Sequence, residues 1–209
     1  MEMNAMAFDK FAREVFAPTY PLIAAQIKER TGITEGVCLD IGCGGGYLGI
    51  ALAKITDLSV NLLDNNHDML RIARKNIIDL GLNARVQTLL GDVDEIPLEN
   101  QAVNLAVSRG SMFLWKDRKK AFLEIYRVLA SGGVAYIGMG FGTAELQEDI
   151  TAKMAEADKD WVKKAKTIMG EQSVQDFRKI LEEAQIPAFE IARDNIGLWI
   201  TIRKQAPLP

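Results

Sequence analysis

The chain has 209 residues, of which 48% are apolar and 25% are charged, which is enough to enclose one hydrophobic core as a single domain. Its net charge of −3 argues against general binding to nucleic acid, because such binding needs a concentrated basic surface. The longest apolar stretches are only as long as strands, and residues 1–20 lack a basic-then-apolar signal layout, so we expect no membrane span and a cytoplasmic location. Two cysteines are too few for a disulfide scaffold or a structural zinc site, and we expect no metal.

Two helices are predicted before the first strand. Apolar residues recur at helical spacing over residues 8–16, Pro18 interrupts the pattern, and Thr19 can begin a second helix that runs to about Arg30. After a turn, residues 37–41 form a short apolar run bounded by glycines, which is typical of a strand buried on both faces of a parallel sheet.

Strands and helices then alternate along the chain. Helices are predicted between consecutive strands, except between the third and the fourth strand, where the loop is too short for a helix. The turn Ser131-Gly132-Gly133 precedes the fifth strand. These strands are predicted over residues 58–64, 85–90, 102–108 and 134–139. Such alternation predicts a doubly wound, Rossmann-like α/β sheet with helices on both faces.

The last third departs from this alternation. A long helical pattern over residues 143–170 predicts a helical insertion that covers one rim of the sheet. Ser173 and Asp176 have the spacing of a capping box, which predicts a helix that begins at Ser173. Residues 188–193 and 198–203 flank a turn and predict a C-terminal antiparallel hairpin, which completes a mostly parallel sheet of seven strands.

A glycine-rich turn, reading DIGCGGG over Asp40–Gly46, follows the first strand. Glycines there supply positive φ angles and remove Cβ atoms, so a ligand can approach the backbone and the N–H groups of the next helix. Tyr47 and Leu48 follow the last glycine, which excludes a phosphate-binding P-loop, because that loop needs Lys followed by Ser or Thr. Tyr47 is also too bulky for the third glycine position of a dinucleotide fold, so an NAD-dependent oxidoreductase is a disfavoured alternative.

The run Leu39–Gly46 resembles motif I of the class I S-adenosylmethionine (SAM)-dependent methyltransferases, whose glycines wrap the methionine part of the cofactor. Three further landmarks follow in the family's order: Leu62–Asp64 resembles the acidic end of its second strand, Leu90–Val93 its adenine-contacting turn, and Arg127–Gly133 the approach to its fifth strand. The resemblance covers most of residues 32–140. It is to the small-molecule, type 11-like branch of the family, and it implies SAM as cofactor and S-adenosylhomocysteine (SAH) as product.

The resemblance also assigns cofactor-binding residues. Asp64 lies 24 residues after Asp40 at the carboxyl end of a strand, where its two oxygens can accept both ribose hydroxyls. Asp92 can accept from the adenine amino group while the Val93 N–H donates to a ring nitrogen. Asp40 either positions the glycine turn and reaches the methionine amino group or caps the following helix. For Asp64 and Asp92 the alternative is a role in a turn or a helix cap. For Met69 the alternative is packing in the core. The predicted set is Asp40, Gly42, Cys43, Gly44, Gly46, Asp64, Asn65, Met69, Asp92, Val93 and Ser108.

The stretch SRGSMFLW over residues 108–115 is the most informative for the methyl acceptor, because ligands of open α/β sheets bind beyond the carboxyl ends of the strands. Arg109 is a candidate anchor for an anionic or aromatic acceptor. The sequence shows no evident general base. This absence does not argue against methyl transfer, because a sulfonium methyl group can be transferred chiefly by orientation. The catalytic candidates are Arg109, Ser111 and Tyr20. Phe113 and Trp115 have core packing as their alternative role.

In this branch of the family the N-terminal helices fold over the cofactor, which implies that residues 1–31 form a helical lid and that Arg13 can approach the methionine carboxylate. Simple packing of these helices on the sheet explains their periodicity equally well.

The predicted function is methyl transfer from SAM to a small-molecule acceptor by in-line displacement. The Asn-Pro-Pro-Tyr signature of amino-group methyltransferases is absent, since Ser108–Ser111 occupies its position, and we expect no DNA substrate. A protein that binds SAM or SAH without catalysis, as a sensor or a complex subunit, is the alternative. The acceptor atom is not encoded in a recognisable motif, and a homodimer is the candidate assembly.

Overall fold

The computed structural model describes residues 5–205 of the chain. The first four residues of the predicted lid and the last four of the predicted domain lie outside this part. No helix in the described range is both long and apolar enough to cross a membrane.

Eight helices and seven strands form the described part of the chain. The first half contains α1 (Ala5–Glu14), α2 (Thr19–Thr31), β1 (Val37–Ile41), α3 (Tyr47–Ile55), β2 (Ser59–Asp64), α4 (His67–Asp79) and β3 (Val86–Leu90). The second half contains β4 (Val103–Arg109), α5 (Arg118–Val128), β5 (Leu129–Gly140), α6 (Ala144–Ala157), α7 (Trp161–Ile168), α8 (Glu171–Glu183), β6 (Phe189–Arg193) and β7 (Gly197–Arg203).

The seven strands form one sheet in the order β3-β2-β1-β4-β5-β7-β6. The first five strands in this order are parallel, and β7 is antiparallel to both of its neighbours. The predicted Rossmann-like sheet with a C-terminal antiparallel hairpin is therefore confirmed. Because the carboxyl ends of parallel strands meet at one edge, the glycine turn after β1, Asp64 and Arg109 all lie along the same edge of the sheet.

Alternate strand residues bury opposite faces of the sheet, as the twofold repeat of a strand requires. On one face, Phe122 of α5 and Phe177 of α8 pack with Leu39 of β1. On the other face, Ile23 of α2 and Leu52 of α3 pack with neighbouring strand residues. Each such side chain is almost fully buried and contributes about 1.5–3 kcal/mol to folding.

A third apolar cluster joins the region of the first helix to the segment that follows β5. Its buried members are Phe141, Ile150 and Met154, after β5 and on α6. Phe11 and Phe16, from α1 and the turn after it, pack against them. The predicted insertion thus contacts the first helix, which is adjacent to the glycine turn.

Three local predictions differ from the structure. The insertion contains two helices, because Asp158 is extended and its side chain accepts the Asp160 N–H at 2.9 Å, which ends α6. The predicted capping box is wrong: α8 begins at Glu171, and the Ser173 hydroxyl donates to the Thr167 carbonyl instead. Strand β5 begins at Leu129, before the predicted glycine turn. The turn is instead an irregularity within the strand, at the point where the register between β5 and β4 shifts.

Candidate active site

The glycine turn between β1 and α3 has the backbone conformation that the sequence predicts. Gly42, Gly44 and Gly46 have φ angles of 64°, 53° and 81°, a region that side chains with a Cβ rarely adopt. The Cys43 N–H donates to the Leu63 carbonyl at 2.9 Å and ties the turn to β2. Burial raises the pKa of the Cys43 thiol well above its usual value, so this cysteine is not an activated nucleophile.

Two of these glycines also face neighbouring side chains at close range. A Cβ on Gly42 would lie 2.4 Å from the Ser111 Cβ, and a Cβ on Gly46 would lie 2.6 Å from the Leu62 Cδ1. The turn therefore needs glycine for space as well as for conformation.

Asp64, at the end of β2, faces the glycine turn. Its Oδ2 accepts the Gly44 N–H and its Oδ1 accepts the Asn66 N–H, both at 2.9 Å. The side chain is half-buried, and burial raises its pKa despite these two hydrogen bonds. Each carboxylate oxygen has a second lone pair, so the group can still accept the hydroxyls of a ribose beside the turn.

Asp40, at the end of β1, is directed to the start of α3. It is 2% exposed, and its Oδ2 accepts the Gly49 N–H at 2.8 Å, which satisfies one of the free N–H groups of the first helical turn. This geometry is that of the helix-capping alternative. Burial raises the pKa of Asp40 to about 7, with a smaller contribution from the nearby charge of Asp64.

The predicted adenine-binding residues lie next to one another. The exposed Asn65 side chain donates to the Asp92 Oδ2 at 2.9 Å, and this hydrogen bond is the main cause that lowers the pKa of Asp92. Met69 and Val93 are 8% and 7% exposed. The structure thus brings Asn65 and Asp92 together as a charged acceptor beside an exposed amide.

Ser108, in β4, and Ser111, just after it, form a hydrogen-bond network beside the site. The Ser111 hydroxyl donates to the Ile41 carbonyl at 3.0 Å and accepts the Trp115 indole N–H at 3.1 Å. The fully buried Ser108 hydroxyl lies 2.6 Å from it, and since Ser111 already donates to Ile41, Ser108 is the donor. Both hydroxyls are therefore engaged by the protein. Trp115 and Phe113 also pack against the core on the α5 side, as their alternative role predicts.

Arg109 occupies an aromatic cage beyond β4. Its Nε and Nη2 both donate to the Gly140 carbonyl, at 3.3 Å and 3.2 Å. Its guanidinium carbon lies 4.6 Å from the Phe16 ring centre and 5.5 Å from that of Tyr20. Burial lowers the pKa of Arg109 and raises that of Tyr20. No carboxylate among residues 5–205 forms an ion pair with Arg109, so an anionic ligand would supply its missing counter-charge.

The first helix is held over the glycine turn by a residue that the sequence analysis missed. Asp9 is 7% exposed; its Oδ1 accepts the Tyr47 hydroxyl at 2.5 Å, and its Oδ2 accepts the Arg13 Nε at 2.8 Å. Tyr47 in turn stacks on Tyr20, with ring centres 5.3 Å apart. Arg13 is thus paired with Asp9 on its own helix, four residues away.

Phe8 and Asn76 complete the surroundings of the turn. The Phe8 ring would lie 3.4 Å from a Cβ on Gly44, and the Asn76 side chain donates to the Gly45 carbonyl at 2.9 Å. No motif in the sequence marks Asp9 or Asn76, because each is a polar residue on an otherwise ordinary amphipathic helix.

This strand order, with a glycine turn after β1 and an acidic residue after β2, defines the class I SAM-dependent methyltransferase fold. A profile described as the methyltransferase domain matches residues 34–185. The chain belongs to this methyltransferase domain family.

Individual relatives agree with the assignment. A crystal structure from Methanococcus maripaludis, assigned to the SAM-dependent methyltransferases, is 44% identical; the match covers 100% of this chain and 99% of that one, with a TM-score of 0.95. The uncharacterised methyltransferase YdaC of Bacillus subtilis is 27% identical over 84% of this chain and 87% of its own length. The arsenite methyltransferase of Halobacterium salinarum is 28% identical over 74% of this chain and 38% of its own length. The chain spans between 27% and 38% of the lengths of three of the curated relatives it matches.

Proposed function

We propose that the protein transfers a methyl group from SAM to a small-molecule acceptor. The observation that carries this proposal is the Asp64 carboxylate, which the Gly44 N–H holds at 2.9 Å beside the glycine turn. A ribose acceptor next to a turn of left-handed glycines fits the nucleoside half of SAM. SAM as the cofactor also agrees with membership of the family.

The residues around the turn would hold the two ends of the cofactor. Asp64 accepts the ribose hydroxyls, while Asp92 and Asn65 face the adenine. Gly42–Gly46 line the methionine end. When bound, SAM supplies an electrophilic methyl group on a sulfonium sulfur and leaves as SAH. The protein then has to align the acceptor with that methyl group and exclude water, which is catalysis by orientation and needs no strong base.

Arg109 is the proposed anchor for the acceptor. Its partly buried guanidinium has the Gly140 carbonyl and two aromatic rings around it and no carboxylate partner in the described chain. An acidic or electron-rich aromatic acceptor would satisfy this charge and stack on Phe16 or Tyr20. A small acceptor also agrees with the name of the arsenite methyltransferase relative.

Calorimetric titration with SAM, SAH and NAD tests the cofactor. We expect binding of SAM and SAH, no comparable binding of NAD, and a loss of affinity of at least about tenfold in Asp64→Asn. Asp57→Asn is the matched control, because Asp57 is an exposed aspartate just before β2. Tight NAD binding without SAM binding would reject the proposal.

Turnover tests the second half of the proposal. Incubation with SAM and a pool of small metabolites should produce SAH with wild-type protein and at least about tenfold less with Arg109→Ala, while Arg109→Lys retains part of the rate. Unchanged turnover and cofactor affinity in Arg109→Ala would refute the anchor role. SAM binding with no turnover against any pool would favour the sensor alternative.

The proposal also includes a helical lid, a single domain, no DNA substrate, a cytoplasmic location and a homodimer. The docking of α1 beside the glycine turn supports a lid over residues 1–31, and the continuous sheet supports one domain. The acidic composition supports the absence of a DNA substrate. A cytoplasmic location and a homodimer stay proposals that fractionation and size-exclusion measurements can test.

A further inference from the structure

A cavity of about 170 Å³ lies away from the glycine turn. It is formed between the end of α2 and side chains that share one face of β5, β7 and β6. Strand register places Tyr136 and Glu190 on either side of Thr201. The cavity therefore lies over the antiparallel end of the sheet, and none of the residues assigned above to SAM or its acceptor lines it.

The floor of this cavity contains a hydroxyl group without a protein partner. Tyr136 is 3% exposed, and its ring stacks on Trp199 with centres 4.7 Å apart and planes 27° apart. No residue in the described range 5–205 forms a hydrogen bond with the Tyr136 hydroxyl. No fully enclosed side-chain oxygen in that range lacks a partner, so this oxygen must open toward the cavity. The Tyr136 hydroxyl is therefore available to a molecule that enters the cavity.

The charges around the cavity favour an anion. Arg30, Arg203 and Glu190 are its charged lining residues. Arg203 Nη2 donates to the Arg30 backbone carbonyl at 3.2 Å, which holds the Arg203 side chain against the end of α2. Neither arginine, nor Glu190, forms an ion pair within the part of the chain that the structure describes. Two of the three charged residues that line the cavity are therefore positive. The negative charges of Asp194 and Glu190 both act on Tyr136 from nearby.

We propose that this cavity binds a small planar monocarboxylate, with its carboxylate between Arg30 and Arg203, the Tyr136 hydroxyl donating to it, and its ring against Trp199. A monocarboxylate pairs with the two arginines, whereas the second negative charge of a phosphate dianion would be repelled by Glu190 and Asp194. The flat aromatic wall made by the Tyr136–Trp199 stack selects a planar body. The site is separate from the proposed acceptor anchor at Arg109.

Benzoate is the probe, and the indole N–H resonance of Trp199 is the readout in a nitrogen–proton NMR titration. The chain has three tryptophans, and Trp199→Phe assigns the signal. We expect a saturable shift of this resonance with benzoate, little shift with the uncharged benzamide, and weaker binding of inorganic phosphate. Equal responses to benzoate and benzamide, tighter binding of phosphate, or no saturable shift would overturn the proposal.

Substitutions locate the bound probe. Tyr136→Phe removes only the hydroxyl and retains the stack, and Arg203→Gln removes one charge; each should weaken benzoate by about tenfold. Arg109→Ala should leave benzoate binding unchanged. If Arg109→Ala abolishes the shift while the two cavity variants keep it, benzoate binds at the proposed acceptor anchor and the cavity proposal is wrong.

The same variants separate this proposal from the proposed function. Tyr136→Phe and Arg203→Gln should bind SAM with wild-type affinity, and saturating SAH should leave the benzoate titration intact. Failure of the wild-type protein to bind SAM would refute the methyltransferase proposal without affecting the benzoate result.

Discussion

At the scale of single residues, two aspartates at the ends of neighbouring strands have different environments. Asp64 is half-buried and faces the glycine turn, while Asp40 is enclosed and faces the first turn of α3. The short apolar runs before them predicted both strand ends correctly. The direction of Asp40 could not be predicted, because it depends on where the Gly49 N–H points once α3 is packed.

The buried Asp40 makes stability depend on pH. Its folded pKa of about 7 lies above the ordinary value of 3.8, so ionisation is disfavoured in the folded state. This penalty is absent below about pH 4 and grows as pH rises to about 7, so stability falls over that window. Between about pH 5 and pH 8, urea unfolding should show a loss on the order of 2–3 kcal/mol in wild type that is missing in Asp40→Asn.

The control for this experiment is Asp57→Asn, which removes an exposed carboxylate and should retain the wild-type pH slope. An Asp40→Asn variant with that same slope would show that Asp40 is ionised at little cost in the folded protein.

At the scale of elements, the glycine turn and the first helix form the site together. The pattern of glycines predicted the turn, and helical periodicity predicted α1. The contact between them rests on Asp9 and Tyr47, which lie far apart in sequence and have no motif in common. Likewise, the break between α6 and α7 depends on Asp158, whose side chain accepts the backbone N–H of Asp160 where the helix ends.

Gly42→Ala tests the steric demand of the turn. Its new Cβ would lie 2.4 Å from that of Ser111, whose hydroxyl is held by three partners, whereas Gly110 has a similar positive φ and no atom within 4 Å of the place where its Cβ would lie. We expect Gly42→Ala to lower the free energy of unfolding by about 2 kcal/mol more than Gly110→Ala, measured with urea. Equal losses would mean that backbone strain alone explains both glycines.

Tyr47→Phe tests the contact that holds α1. The variant keeps the stack on Tyr20 but removes the hydroxyl that donates to Asp9. Hydrogen bonds to charged groups contribute about 1.5–3 kcal/mol, so the backbone amides of α1 should exchange at least about tenfold faster while the core strands are unaffected. Tyr126→Phe, remote from α1, should leave the exchange unchanged; unchanged exchange in Tyr47→Phe as well would contradict the role of the contact.

At the scale of the whole molecule, the parallel strand order gathers the glycine turn, Asp64 and Arg109 at one edge. Alternating strands and helices predicted this arrangement, because right-handed crossovers leave few other topologies. The third apolar cluster was not predictable, since periodicity shows that α1 and α6 each have an apolar side but not that the two sides meet. The cavity lined by Tyr136 was not predictable for the same reason, because periodicity does not show which side chains meet.

Ile150→Ala tests how far this cluster supports the fold. Ile150 lies on α6 and is fully buried in the cluster that also contains Phe11 of α1. The free energy of unfolding of the variant, measured with urea, should therefore be lower by about 2–5 kcal/mol. Leu123→Ala, at a position of α5 that is 43% exposed, should lose much less. Comparable losses in both variants would show that the cluster adds little to stability.

The same cluster has a consequence for how the chain is made. Phe11 and Phe16 leave the ribosome well over a hundred residues before Phe141, Ile150 and Met154. At ordinary elongation rates this delay is on the order of ten seconds. Throughout that interval the apolar side of α1 lacks these partners, so α1 can reach its final place only after β5 and α6 have been synthesised. A nascent chain that stops before β5 would contain the glycine turn but not the buried residues of the third apolar cluster, against which the first helix packs.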